Sequence, residues 1–123
     1  MPINFNGDNW GGLSQAAQRR KAKDPRHSLM YRVEAAAIGW ANNIGHSKFD
    51  GLPLGRILVD ERGKEPSRQV LDKAIRKAKE LGLIEPESNS RCLVVSRRIF
   101  QRGGRGSYTC QEHGISRSLG GAA

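Results

Sequence analysis

Between residues 67 and 84, SRQVLDKAIRKAKELGLI, apolar side chains recur at three- and four-residue steps: Val70, Leu71, Ala74, Ile75, Ala78 and Leu81. That spacing gathers them on one helical face and leaves Arg68, Gln69, Lys73, Arg76 and Lys77 on the other, which predicts a helix with a basic exposed side. Ser67, after Pro66, is placed to cap its start, and Gly82 is the left-handed stop that commonly ends a helix. The rest of the fold is expected to be organised around this helix.

A second helical pattern follows Asp24 and Pro25. Leu29, Val33, Ala36, Ala37, Trp40, Ala41 and Ile44 share one face, Gly45 marks the end, and Trp40 is expected to anchor the core. Residues 46–66 are less regular, with a short strand over 47–49, a turn at Asp50 and Gly51, a short helix over 53–60 and a loop. Beyond the basic helix, apolar segments 83–84 and 92–95 flank the turn-forming PESNS, which predicts a hairpin. Long helix, short strand, short helix, loop, basic helix and hairpin is the order of a winged helix-turn-helix, a mostly α fold with a small β-hairpin. That core is assigned to residues 25–100.

Neither end continues the pattern. Residues 1–24 read as a flexible basic arm that could become helical over SQAAQRRKAK on contact with a partner. Residues 101–123 form a tail rich in Gly, Ser and Arg. The 123 residues hold 21 Lys plus Arg against 12 Asp plus Glu, a net charge of +9 with a pI near 10.3, which favours an anionic macromolecular partner. No apolar run suits a signal peptide or a membrane span, and two cysteines make no disulfide framework. A cytoplasmic protein with reduced thiols is expected.

Charge turns the helix pattern into a binding prediction. Ser67, Arg68, Gln69, Lys73, Arg76 and Lys77 are the candidates to face a DNA major groove, where Arg suits guanine and Gln suits adenine. Arg91, Arg97 and Arg98 flank the second hairpin strand, and Arg19, Arg20 and Lys21 lie in the arm; all six are candidate backbone contacts. For each, a solvated surface charge is the competing reading. Arg26 and Arg32 are further candidates for phosphates.

One constellation has metal-ligand character. Cys110 and His113 form a C-x-x-H pair, and Cys92 would join them if the tail folds back on the hairpin. A fourth ligand must then come from His27 or His46. A single C-x-x-H is a weaker signal than a paired C-x-x-C, so the sequence favours free thiols and no cofactor over structural zinc. His27 reads as a surface or capping residue and His46 as a turn residue.

The stretch AIRKAKELGLIEPESNSRCLVVSRR, followed by CQEH at 110–113, resembles small winged helix-turn-helix DNA-binding proteins of actinobacterial phages and their hosts, over residues 28–114. The resemblance implies a regulator of transcription encoded by a bacteriophage or mobile element, its basic helix reading double-stranded DNA in the bacterial cytoplasm. An alternative is an adaptor that uses the same fold to bind a host transcription or replication protein, with Phe5 and Trp10 as docking residues. RNA binding is disfavoured by the lack of an aromatic platform. With no phosphate-binding loop, H-E-x-x-H or G-x-S-x-G, an enzyme is not expected.

Overall fold

The computed structural model describes residues 3–116. Residues 117–123, the end of the predicted tail, lie outside that range. In order, the elements are α1 (Gln15–Lys23), α2 (Leu29–Gly39), β1 (His46–Lys48), α3 (Leu54–Ile57), α4 (Arg68–Glu80) and β2 (Cys92–Val94). The chain is thus mostly helical with a small two-stranded antiparallel sheet, but the sheet pairs β1 with β2 and not the predicted strands 83–84 and 92–95. Residues 83–84 form no strand, and the backbone of the turn that follows meets β2 only through the Glu85 N–H to Val94 and the Asn89–Cys92 bridge. Among the described residues no helix is long and apolar enough to cross a membrane.

The central element is α2, not the basic helix. Arg32, Val33 and every residue from Ala35 to Gly39 are buried, and α2 packs against α1, α4 and both strands. Its run of small residues, Ala35-Ala36-Ala37, permits that crowding, because neighbours can approach the backbone from several sides. Contributions to the same core come from Leu54, Ile57 and Leu58, from Ala74, Ile75 and Ala78 on α4, and from Ile84, Leu93 and Val95. α4 is amphipathic as predicted, and Ser67 caps it by accepting the Val70 amide at 3.2 Å.

The helix predicted through Ile44 stops early, with Trp40 as its C-cap. Asn42 explains the stop: its Oδ1 accepts the amides of Ile44 and His46, both at 3.0 Å, offering the backbone a turn in place of another helical bond. Gly45 then takes φ +80°, and a Cβ there would stand 3.1 Å from the Val95 carbonyl. Trp40 is only half-buried. Its ring meets Phe49 edge-on, with the Arg19 guanidinium 5.3 Å from its centroid.

The arm reading is corrected over Gln15–Lys23, which form α1 against the chain's own α2. Ser14 caps the helix by accepting the Ala17 amide, and Ala22 is fully buried. Two α1 side chains donate to carbonyls at and just past the α2 C-terminus, where intrahelical partners run out. Arg19 Nε donates to Gly39 at 2.6 Å, and the Gln15 amide donates to Ile38 and Ala41 at 2.9 and 3.1 Å. A Cβ on Gly39 would come within 2.9 Å of Arg19, so glycine there permits the close crossing.

Arg32, expected to help with phosphates, is instead buried at 3% exposure. Its guanidinium donates to the carbonyls of Ala22, Ile57 and Val59 at 2.8, 3.3 and 2.9 Å, joining the ends of α1 and α3. Burial holds its pKa below the usual arginine value. Replacing Arg32 with Met would remove the donors to three carbonyls, two of them through buried bonds, so a loss of about 2–4 kcal/mol is expected in urea unfolding.

Candidate metal centre

Strand periodicity divides the ribbon into two faces. β1 pairs with β2 in the register His46 to Val94, Ser47 to Leu93 and Lys48 to Cys92. Leu93 and Val95 therefore point toward the helical core, and the Ser47 hydroxyl donates to Ala37 of α2 on that same side. Cys92 and Val94 point the other way, into a second small cluster with Cys110, Ile44 and Ile115. His46 lies diagonally across from Cys92 on this second face, and its ring reaches the sulfur.

The segment after β2 returns to cover that face. The Asn43 side-chain amide donates to the Gly104 carbonyl at 2.8 Å, and the Asn42 amide to Thr109 at 3.0 Å. Cys110 and Ile115 then exchange backbone hydrogen bonds of 2.8 and 2.7 Å, closing a tight loop over C-x-x-H-G-I. Gly114 takes φ +67° in this loop, a conformation that suits glycine. The described part of the predicted tail, residues 101–116, is irregular, yet it is anchored as far as Cys110 and folded back on the β1–β2 ribbon.

Four ligand atoms converge as a result. Cys92 Sγ is 3.5 Å from His46 Nδ1 and 3.5 Å from Cys110 Sγ, which is 3.3 Å from His113 Nδ1. All four lie within 4.8 Å of one another, and His46, Cys92 and Cys110 are buried. The cluster could hold a metal ion with two sulfurs and two imidazole nitrogens. His46, and not His27, is placed where a fourth ligand would be needed, and it opens β1, so its reading as a turn residue is corrected. His27 is exposed beside Asp24 and takes no part. Both cysteines are free and buried, and thiol hydrogen bonds to the two Nδ1 atoms give the same contacts that a metal would draw together.

A hydrogen bond to a carbonyl outside the cluster orients one of the four side chains. His113 Nε2 donates to the Glu87 carbonyl at 2.7 Å, which fixes the tautomer and leaves the Nδ1 lone pair facing the cluster. The groups also bias one another. Burial, then the neighbouring Cys110, pushes the Cys92 thiol up, while burial and the charge of His113 hold His46 below its usual value. At Cys110 burial acts upward, but hydrogen bonds from His113 and Cys92 bring the net value down. At His113 burial acts downward, and the Glu87 carbonyl and Cys110 bring the net value up. Sequence reading missed Glu87, because a backbone carbonyl carries no residue-type signal.

The candidate DNA-contact residues separate into groups. Ser67, Arg68, Gln69, Lys73, Arg76 and Lys77 are all exposed on or at the start of α4. Arg91 is exposed before β2, where it lines a groove of about 680 Å³ with Arg68, Arg76 and Lys79. Arg97 and Arg98 lie past the other end of the strand, beside Asn4, Phe5 and Gln101, so the three arginines do not form one patch. On α1, Arg20 is exposed and Lys21 half-buried, whereas Arg19 is held by Gly39 and Trp40. Comparison with protein-family models, with curated proteins and with solved structures gave no match.

Proposed function

We propose that the protein is a double-stranded DNA-binding module of winged-helix type whose wing is fastened by zinc. The observation that carries the DNA reading is α4: Arg68, Gln69, Lys73, Arg76 and Lys77 are exposed on a helix whose opposite face is locked into the core. α4 follows a short helix and a loop and leads through the strandless segment 83–91 into β2, which pairs with β1, an order that supports a winged-helix reading with a reduced wing. A rigid cationic helix of this kind suits major-groove entry, with Arg and Gln at base edges and Lys on phosphate.

The donor set supports zinc. Tetrahedral zinc, with sulfur near 2.3 Å and nitrogen near 2.0–2.1 Å, requires ligand atoms about 3.4–3.8 Å apart. Three of the six separations, 3.5, 3.5 and 3.3 Å, agree with that to within about 0.3 Å, and the others, all within 4.8 Å, would have to close by at most about 1 Å. Four protein ligands fill the coordination sphere and leave no position for substrate, so the role is structural. Zinc here joins the α2–β1 junction, β2 and the C-x-x-H loop, and through His113 it holds the hairpin turn at Glu87.

Regulation of transcription, in a phage or mobile element, is the biological role that fits such a module best. The test is binding to duplex DNA from the region upstream of its own gene, against a mixed-sequence duplex, over a series of salt concentrations. Preference for the upstream duplex, with log affinity falling linearly against log salt, is the expected result. Binding to neither would overturn the reading. The basic residues of α1 add to the backbone contact: Arg20→Ala with Lys21→Ala should flatten that slope by up to about two units and leave melting unchanged. The adaptor reading draws on a different observation, the exposed Trp10, Leu13 and Ile99 that line one cleft.

A further inference from the structure

The groove between α4 and the hairpin contains an acid that the DNA reading does not require. Arg68, Arg76 and Lys79 line it from α4 and Arg91 from the hairpin, and Asp72 is tied to Arg68 at 3.8 Å on the helix itself. Glu112 enters from the opposite side, carried between the two metal-cluster residues Cys110 and His113. One carboxylate oxygen accepts from the Asn89 side-chain amide at 3.0 Å, and the other lies 4.0 Å from Arg91 Nε. The loop that bears Glu112 is closed by the Cys110–Ile115 backbone pair and fixed to the turn through His113 and Glu87. The carboxylate is therefore presented to the groove by a constrained loop.

Resting on the DNA reading above, we propose that Glu112 is an internal stand-in for a DNA phosphate. It holds the anion position beside Arg91 in the free protein and yields it to the sugar–phosphate backbone when α4 enters the major groove. A carboxylate and a phosphodiester offer the same chemistry to the guanidinium and amide donors of Arg91 and Asn89, a negative charge with oxygen acceptors. The groove combines four cations with two acids, and one of those acids is already engaged by α4, so Glu112 is the charge that a phosphate must replace. The exchange lowers affinity for any duplex. Weak, non-specific complexes lose proportionally most, because they depend almost wholly on backbone charge.

The experiment measures binding of a mixed-sequence duplex of about two helical turns over a salt series, for the wild type, Glu112→Gln, Arg91→Ala and the double variant. Gln keeps the acceptor for Asn89, so the loop should persist, and metal content per chain checks that it does. Glu112→Gln should bind about two- to fivefold more tightly at low salt, with a slope steeper by up to about one unit. Arg91→Ala should weaken binding and remove most of the gain from Glu112→Gln. No gain from Glu112→Gln, or the same gain with Arg91 absent, would overturn the proposal, the second outcome marking plain repulsion without exchange. Either result could stand beside a strong loss on replacing Arg68 and Arg76, which would leave the DNA reading intact. Failure of the wild type to bind duplex would remove the DNA reading itself, and this inference with it.

Discussion

Protein purified without added metal or chelator should contain close to one zinc per chain, and stripping it should lower the melting temperature by on the order of 10–20 °C. The size follows from what the ion joins. Structural zinc contributes its binding free energy to folding, and a domain of about 100 residues shifts by about 4–8 °C for each kcal/mol. Cys110→Ser and His46→Ala should each reproduce most of the loss, because a tetrahedral site with three protein ligands binds far less tightly. The ligands must be deprotonated to bind, so acidification should release the ion and destabilise the fold in the same pH range. Substoichiometric zinc, with Cys110→Ser as stable as the parent, would show that the cluster is not a structural metal centre. His27→Ala serves as a control and should change neither metal content nor melting.

Replacing Arg68 and Arg76 together with Ala should weaken binding to a specific duplex by about 2–6 kcal/mol, roughly thirtyfold to twenty-thousandfold, while melting changes little. The separation of effects rests on exposure. The Arg68 side chain is 91% exposed and its one ion pair, with Asp72, is a surface contact within the helix, so little stability depends on it. Discrimination between the preferred duplex and a mixed sequence should collapse, and residual binding should keep most of its salt dependence. Full affinity in the double variant would take α4 out of the DNA groove and favour the exposed Trp10, Leu13 and Ile99 surface as the working face.

The legible parts of the sequence were those governed by local periodicity and capping. α4 was readable because apolar spacing, Ser67 and the basic positions agree, and burial of Ala74, Ile75 and Ala78 follows from that one pattern. The centrality of α2 was not, because alanine gives a weak hydrophobic signal and its value lies in close packing. α1 was misjudged for the same kind of reason. Its stability comes from Gln15 and Arg19 meeting carbonyls at the end of another helix, which are tertiary contacts with no local spacing. Three metal ligands were identifiable from cysteine content and the C-x-x-H pair. The fourth required knowing that β1 and β2 pair, since Cys92 and His46 are 46 residues apart and only the strand register brings them to one face.

The two-faced ribbon also orders events during synthesis. One face completes the helical core, whose fully buried members end at Val95; the other is covered by Cys110, His113 and Ile115, later in the chain. As the chain leaves the ribosome, the helical core can close while the cysteine-bearing face of β2 still lacks its cover. If the cluster holds zinc as proposed, the metal would be the final latch of a nearly folded nascent chain. Before it closed, Cys92 and Val94 would form a short apolar strip open to unwanted partners, so the yield of folded protein would follow zinc supply.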